Sequence, residues 1–369
     1  MGTKKFSNKR LRTMKPFKKL QLLFILISAP ILLFAQNSNC NISKTFKVEK
    51  GSSLRVTNKY GDVNIITGKD DSISVCATIT ISQDDEVLLR KSMELVSVSI
   101  EQSKDTIKIS TAYDKKFFSE TLRQGRKNFR VDYVIKLPVY ENVNISDEFG
   151  NISLEEVSGT INVRLTQGLL SAKNLTKGNN KPISSIFIDH GKATIDEINW
   201  MTLSLFNCSS VNIGKAQALT TTSSVSKIWM GDISSLVINS KSDNYFIKSV
   251  NNLVVESVYS SFEIGKLNGQ LKSKETYGSV ILRALNKGFG TIDIISSSAQ
   301  ISLTTGEKAS FAADVITTET QVEFPAEKFP GIIKTENSYS TALLGIAGTN
   351  KLTKSQIIIR SKGGKLTIQ

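Results

Sequence analysis

The feature that most constrains the fold is a short sequence motif, called the phrase below, that recurs between residues 149 and 306. It consists of a Gly or small polar residue followed by apolar residues two and four positions later. Residues 150–154 (Gly-Asn-Ile-Ser-Leu) and 278–282 (Gly-Ser-Val-Ile-Leu) show it clearly. Because the side chains of a strand alternate between its two faces, these apolar residues point to one side. The phrase therefore predicts short strands with one buried face.

The spacing of the small residues predicts how these strands are arranged. Successive anchors are 16 to 23 residues apart, with a mean of 19. They are Gly150, Gly168, Gly191, Ser209, Ser226, Asn244, Ser260, Gly278, Ala299, Thr320 and Ser340. A unit of this length cannot close a core alone and must stack on its neighbours. We therefore predict an all-β fold, a right-handed parallel β-solenoid over residues 141–369 with about 19 residues in each turn.

An antiparallel sandwich is the alternative fold. It needs tight hairpin turns, typically Asn-Gly, between paired strands. Asn268-Gly269 is the only such dipeptide in the repeats, which favours the solenoid. One position resists the pattern, because Lys248 stands where the other repeats have an apolar residue.

Residues 36–140 are predicted to form a strand-rich N-terminal region with one interruption. Alternating apolar residues indicate strands, for example in residues 96–100 and 131–138. Between Asp84 and Met93 the apolar spacing loosens, which predicts a short helix. Residues 114–128 are rich in Lys and Arg, and we interpret them as a charged, solvated loop.

The first 35 residues have the composition of a secretory signal peptide. They contain eight Lys or Arg, no acidic residue, and an apolar run from Leu20 to Ala35. The run is short for a membrane span, and Pro30 interrupts it. We expect cleavage after Ala35 and export to the periplasm, the cell surface or the medium, with no transmembrane segment in the mature chain. A retained N-terminal anchor is the alternative.

Removing this segment changes the charge that the protein presents. The whole chain has a formal charge of +14, but the mature part holds 39 basic and 33 acidic residues. No Lys/Arg cluster is interleaved with aromatic residues, so the sequence gives no reason to expect nucleic-acid binding. The three cysteines, Cys40, Cys76 and Cys208, are too scattered for a metal site or a disulfide framework. They leave room for one bridge, although we expect buried free thiols.

Candidate catalytic residues are scattered over the repeats. Acidic groups that a polysaccharide-cleaving enzyme would need occur at different positions of the phrase, so they should not converge. These are Asp189, Asp196, Asp232 and Asp293. His190 is the only histidine, and it occupies the position filled by Phe149, Tyr259, Tyr277 and Tyr339 in other repeats. We therefore expect a packed side chain there and predict no catalytic residue, no metal site and no cofactor.

One outward position of the repeats has an unusual composition. Three residues after the anchor the side chain should face solvent, yet this position holds Trp229, Ile247 and Ile281 in three of the repeats. An exposed apolar stripe can be a contact site, and Trp229 and Tyr245 suit stacking on sugar rings or packing against a protein. We take Trp229, Tyr245, Ile247 and Ile281 as a candidate binding face. The alternative is that another part of the chain covers it.

Three segments together resemble a known group of proteins. They are the octapeptide from Asn58 to Ile65, the strand from Val131 to Pro138, and the repeats that begin Phe149-Gly150-Asn151-Ile152. They are similar to the adhesin families of bacterial envelope proteins, including the β-strand-repeat, head-domain and auto-transporter types common in Bacteroidetes-like bacteria. The resemblance covers most of residues 46–369. It implies a secreted or surface-exposed protein without enzymatic activity.

From these observations we expect a cell-envelope protein that binds an extended polymer, either a glycan or the surface of an envelope or host protein. Long repetitive surfaces suit such partners. Two alternatives remain: a polysaccharide-cleaving β-helix enzyme, and a structural or signalling component of the envelope with no ligand of its own.

Overall fold

The structure is a computed structural model that describes residues 41–83, 85–122, 129–306 and 309–369, with the backbone alone at 120–122. The expected signal peptide lies outside the described residues. In the described residues the protein is all-β, and its strands form one large, mostly parallel sheet that is not closed.

The strands are β1 (Ile42–Lys47), β2 (Ser53–Lys59), β3 (Val63–Gly68), β4 (Ser72–Ile81), β5 (Val96–Ser103), β6 (Thr106–Tyr113), β7 (Phe129–Pro138), β8 (Asn142–Glu148), β9 (Ile152–Val157), β10 (Ile161–Thr166), β11 (Leu169–Leu175), β12 (Ser184–Asp189), β13 (Lys192–Phe206), β14 (Ser210–Ser224), β15 (Lys227–Lys241), β16 (Asn244–Val258), β17 (Ser261–Thr276), β18 (Ser279–Leu282), β19 (Thr291–Leu303), β20 (Phe311–Thr318), β21 (Gln321–Glu323), β22 (Ile332–Glu336), β23 (Ser340–Ala347) and β24 (Gln356–Ile368). The helices are α1 (Glu86–Glu94), α2 (Lys115–Leu122) and a short 3-10 turn at Ala326–Lys328.

The middle of the sheet consists of long strands that pair in parallel, each with the next one along the chain. Val211 lies beside Ile228, and Ile228 lies beside Tyr245, so paired residues are 17 positions apart in the sequence. The offset widens to 23 between Leu170 and Ala193. The spacing read from the sequence is therefore the distance along the chain between neighbours in a parallel ladder.

Burial within one long strand shows how it follows the core. In β14 the buried residues are two positions apart at each end but three apart in the middle, from Ile213 to Ala216 and from Ala216 to Leu219. Since strand side chains alternate, a step of three keeps the same side inward only if the strand bends there. Each long strand therefore lines the core along three segments.

A column of left-handed residues explains why small residues recur. The residue at each corner has φ between 51° and 61°, and the small anchor follows it. These corner residues are Phe149, Gln167, His190, Asn207, Val225, Ser242, Tyr259, Tyr277, Ser298 and Glu319. A Cβ on Gly168 would overlap the carbonyl oxygen of Gly150 in the preceding repeat. Close approach of the backbone in successive repeats thus requires the glycines, while the residue before each of them makes the turn.

Two predicted anchors are wrong by one residue. The residue after the left-handed corner is Cys208 in one repeat and Asp243 in another, whereas the sequence pattern placed the anchors at Ser209 and Asn244. With the anchor at Asp243, the fourth position is the buried Ile247 and Lys248 lies outside it. The exception at Lys248 therefore disappears.

Both ends of the described sheet contain antiparallel strands. At the N-terminal end β4 pairs antiparallel with β1 and β7, while β2 and β3 pair in parallel with β8 and β9. At the other end β23 pairs antiparallel with β20 and β22. These strands cover the ladder ends that would otherwise present unpaired edges.

The order of strands at the C-terminal end differs from the order in the sequence. β24 lies between β19 and β20 and is parallel to both, with Ile301 beside Leu366 and Val322 on the other side of Leu366. The expectation that the repeats at Ala299, Thr320 and Ser340 stack in succession is therefore wrong. A local pattern specifies a strand's buried face but not which neighbour it finds.

The N-terminal region holds two short helices among its strands. The short helix is present as α1, and the Asp85 carboxylate accepts hydrogen bonds from two backbone N–H groups of its first turn. The charged stretch from 114 is partly helical, as α2, and the rest of it, residues 123–128, lies outside the described residues.

The cysteines of the described residues are in two different states. Cys208 is a buried free thiol, as expected, but Cys76 is disulfide-bonded, against the expectation of free thiols throughout.

None of the helices in the described ranges combines the length and the apolar character that crossing a bilayer requires.

Candidate functional site

The parallel register defines one outward column on the middle repeats. Its members occupy equivalent positions, each pointing away from the core between two buried neighbours. In order along the stack they are Thr194, Asn212, Trp229, Phe246, Glu263 and Ile281. We call this set the outward column.

Two aromatic rings stack on each other at the centre of the outward column. The ring centroids of Trp229 and Phe246 are 5.5 Å apart, with an angle of 14° between the ring planes. Both side chains are 38% exposed. Since the two residues are ladder neighbours, the ring normals run along the stack, and the outer face of Trp229 is directed toward Asn212.

A shallow hollow of about 550 Å³ surrounds this pair. Asn212 and Glu263 border it with polar groups, while Gly214, Gly231 and Gly265 leave its side without side chains. The hollow therefore combines flat apolar rings with a small number of hydrogen-bonding groups, which is the composition typical of small-molecule binding sites.

Two of the predicted binding residues lie inside the protein. Tyr245 is 1% exposed and Ile247 is 2% exposed, and Phe246 between them takes the outward position. The cause is the one-residue error in the anchor at Asn244, since a shift of one residue moves every side chain of a strand to the opposite face. The outward aromatic residue that the sequence pattern missed is Phe246.

Trp229 and Ile281 both lie in the outward column, but only Trp229 lines the hollow. Ile281 is half-buried at the far end of the column. Glu263 lies between it and Phe246, and the Glu263 carboxylate accepts a hydrogen bond of 3.0 Å from Arg283 Nε. The structure therefore brings Trp229 together with Phe246 and leaves Ile281 apart.

A buried polar network lies at the corners that precede Trp229 and Phe246. The Asp243 carboxylate accepts hydrogen bonds from Ser223 Oγ at 2.7 Å, from Ser240 Oγ at 2.6 Å and from the Ser226 backbone N–H at 2.7 Å. Burial raises the pKa of the Asp243 carboxyl above its ordinary value. Tyr245 also contacts this network, with its hydroxyl 2.6 Å from Ser223 Oγ. These bonds fix the strands that carry Trp229 and Phe246.

A second exposed aromatic pair occupies the left-handed corner. The rings of Tyr259 and Tyr277 stack with centroids 5.1 Å apart and are 59% and 54% exposed. The expectation of a packed aromatic position at this corner is therefore wrong. His190, at the same corner, is exposed as well, with Nδ1 2.8 Å from Asp189 Oδ1. A left-handed backbone directs these side chains outward.

The acidic residues considered for catalysis do not lie together. Asp189 is beside Phe206, Asp232 is beside Lys215 and Ser249, and Asp293 is beside Lys272, so these three of the four belong to different columns. The fourth, Asp196, lines the hollow around Trp229. Asp232 forms an ion pair of 2.9 Å with Lys248. Within the described ranges no group of three His, Cys, Asp or Glu residues is arranged to hold a metal ion.

The solved structures that resemble this chain include three bacterial proteins, each described as a "putative" adhesin or cell adhesion protein. The Clostridium sporogenes protein is 13% identical, with 89% of this chain and 98% of that chain covered and a TM-score of 0.16. The Parabacteroides distasonis protein is 15% identical, with coverages of 71% and 96% and a TM-score of 0.30. The Bacteroides fragilis protein is 10% identical, with coverages of 89% and 96% and a TM-score of 0.25.

No protein-family model matches the sequence, and no curated protein does. The names of the three solved structures agree with the adhesin families that the sequence resembles. At these identities and TM-scores the matches establish no binding partner for this chain.

Proposed function

We propose that this chain is an adhesin-like, non-enzymatic binding protein of the bacterial cell envelope, which holds an extended glycan against the outward column. The observation that carries this proposal is the exposed stack of Trp229 on Phe246. Large rings in a flat arrangement offer apolar contact at low cost in conformational entropy. The amide of Asn212 and the carboxylate of Glu263 stand at the rim, where sugar hydroxyls need partners.

The fold supports a long ligand. Parallel partners recur at offsets of 17 and 18 residues from β13 to β17, which supports a right-handed parallel β-solenoid over residues 141–369. Neighbouring repeats then present equivalent positions about 4.8 Å apart. A polymer with a repeat of similar size can contact several of these positions in succession.

The polysaccharide-cleaving alternative receives less support. Most enzymes that hydrolyse a glycosidic bond use two carboxyl groups facing each other across the sugar linkage. The acidic residues of the repeats lie in different columns, and Asp232 is paired with Lys248. A binding role needs no such pair.

The location is part of the same proposal. Residues 1–35 act as a signal peptide, residues 36–140 form the strand-rich N-terminal region, and residues 141–369 form the repeat region. The composition of the first 35 residues supports export. Mass spectrometry of protein recovered from cell envelopes, with a new N-terminus after Ala35, would test it.

Binding is tested with Trp229→Ala and a matched control. The mature protein is applied to a panel of immobilised glycans and incubated with solubilised envelope extract. We expect glycan binding by the wild type and a loss of at least tenfold in Trp229→Ala, because the larger half of the stacked pair is removed. Trp200→Ala is the control, since Trp200 is 37% exposed and lies in a different column.

Three results would contradict the proposal. Binding that is unchanged in Trp229→Ala would exclude the outward column. Capture of a protein from the extract, without binding to any glycan, would replace the glycan by a protein partner. Absence of any bound species would favour a structural component of the envelope.

A further inference from the structure

Exposed aromatic side chains occur on four successive repeats around the candidate site. Trp229 and Phe246 each follow a left-handed corner by four residues, and the next two corners are Tyr259 and Tyr277 themselves. The four rings thus form two stacked pairs, one on the sheet face and one at the corner. The repeats that carry them are direct ladder neighbours.

The two pairs border the same strip of surface. In each pair the rings stack along the ladder, so the free face of Phe246 is directed toward the repeat of Tyr259. The free face of Tyr259 is directed back toward the repeat of Phe246. Their midpoints are two strand spacings apart along the stack and four residues apart along the chain, with a left-handed corner at one end, which places them at most roughly 16 Å from each other.

The strip between the two pairs is lined by small polar side chains. Asn244, Ser261 and Ser279 occupy one outward position, midway between the corner and the outward column. The hydroxyls of Ser261 and Ser279 are 2.7 Å apart and share one hydrogen bond. Side chains of this size leave the passage open and offer donors and acceptors to a ligand that crosses it.

Three charged groups along the strip form ion pairs with their neighbours, whereas Lys227, which lies beside Asn244, forms none among the described residues. Lys248 pairs with Asp232 at 2.9 Å, Glu263 with Arg283 at 3.0 Å, and Lys365, beside the Tyr pair, with Glu323 at 2.7 Å. A polyanionic or polycationic chain would have to displace these partners. A neutral chain would not.

We propose that the two aromatic pairs are subsites for a single neutral polysaccharide chain of β-1,4-linked pyranoses with equatorial hydroxyls. Such sugars present apolar C–H faces to aromatic rings and hydroxyls to the small polar side chains between them. The chain runs diagonally over the strip from the Trp229–Phe246 pair to the Tyr259–Tyr277 pair. The inference rests on the proposed glycan binding and adds the ligand class, its direction and its minimum length.

The experiment compares short and long oligosaccharides by titration calorimetry. The probes are cellobiose and cellohexaose, and the N-acetylated chitin dimer and hexamer, because the two series share ring shape and linkage. The proteins are the wild type, Trp229→Ala and the double variant Tyr259→Asn/Tyr277→Asn. Asn is chosen because it tolerates the left-handed backbone, as Asn207 does at an equivalent corner.

We expect a hexamer of at least one series to bind the wild type about tenfold more tightly than its dimer. The double variant should bind that hexamer only as tightly as the dimer, and Trp229→Ala should weaken both. Tyr339→Ala is the control, because Tyr339 is 73% exposed and lies outside the strip. Its affinities should equal those of the wild type.

The outcomes separate this inference from the function on which it rests. A wild type that binds neither hexamer, or a double variant that binds the hexamer as well as the wild type does, overturns the two-subsite assignment. If Trp229-dependent binding to another glycan persists in that case, the proposed function stands. If the wild type shows no glycan binding that depends on Trp229, both the two-subsite assignment and the proposed function are overturned.

Discussion

At the scale of single residues, the interior holds carboxyl groups that a β-sheet core does not require. Asp147 is buried, and burial raises the pKa of its carboxyl to about 8, with the nearby Asp62 carboxylate adding to the effect. Its oxygens make no hydrogen bond of ordinary geometry among the described residues, although the Glu148 backbone N–H and the Asn58 side chain lie close enough to offset part of the rise in pKa. Glu141 is buried in the same way, and burial raises the pKa of its carboxyl to about 7.

These raised pKa values predict a stability that declines as pH rises. The folded protein keeps a proton on Asp147 that the unfolded chain releases near pH 4, so the stabilisation is complete below pH 4 and is lost as pH rises toward 8. One such group contributes a slope of about 1.4 kcal/mol per pH unit to the free energy of unfolding. Asp147→Asn should flatten the profile measured by denaturant titration between pH 5 and 8.

Asp105→Asn is the control for that measurement, because Asp105 is exposed. Its profile should be parallel to that of the wild type. If Asp147→Asn also gives a parallel profile, the Asp147 carboxyl is not protonated in the folded protein.

Residue identity also explains where the sequence was informative about the site. Trp229 was found because an indole stands out among Ser, Thr and Asn at an outward position. Phe246 was missed because Tyr245, Phe246 and Ile247 are three consecutive large apolar residues, and such a run does not reveal which face is buried. The left-handed corner at Ser242 determines which face is buried, but a serine in the sequence does not indicate a left-handed backbone.

At the scale of elements, β24 is the strand whose position matters most. It forms ladders with β19 on one side and with β20 and β21 on the other. Ile357, Ile359, Leu366 and Ile368 are buried between these neighbours. The local pattern predicted a strand here, but the pairing of residue 301 with 366 depends on a contact between distant parts of the chain.

Removal of β24 should therefore prevent folding. The burial of four Ile or Leu side chains is worth roughly 6–12 kcal/mol, which is comparable to the whole stability of a typical domain. We expect a chain that ends at Ser355 to be insoluble or to lack a cooperative thermal transition in circular dichroism. Leu352→Ala, at a side chain that is 91% exposed, should leave the transition unchanged. A truncated chain that melts as the full chain does would contradict the strand order.

At the scale of the whole molecule, the sequence predicted an all-β protein made of stacked repeats, and the structure is an all-β, mostly parallel sheet with the predicted spacing. The prediction succeeded because a small residue after each corner and apolar residues on one face recur from repeat to repeat. The ends were not predictable in the same way. Antiparallel strands such as β4 and β23 end the ladder without repeating its pattern.

If register alone connects the middle repeats, one whole repeat can be removed. Deletion of residues 227–243 joins Ser226 to Asn244 and places Tyr245 beside Val211, where Ile228 lies in the wild type. We expect this variant to remain soluble and to unfold cooperatively in a thermal melt. Deletion of residues 227–235 alone should abolish that transition, because the remaining residues 236–243 are too few to pair with both β14 and β16 along their length. Equal behaviour of the two variants would show that the repeats are not interchangeable units.

The position of β24 has a consequence for the order of events in the cell. A chain that leaves the ribosome or a translocation channel with its N-terminus first exposes β19 and β20 well before β24. During that interval both strands have an unpaired parallel edge, which is the kind of surface that chaperones hold and proteases attack. The sheet is complete only after residue 368 has emerged. A chain whose synthesis stops before β24 therefore keeps these unpaired edges, and chaperones and proteases can distinguish it from the complete protein.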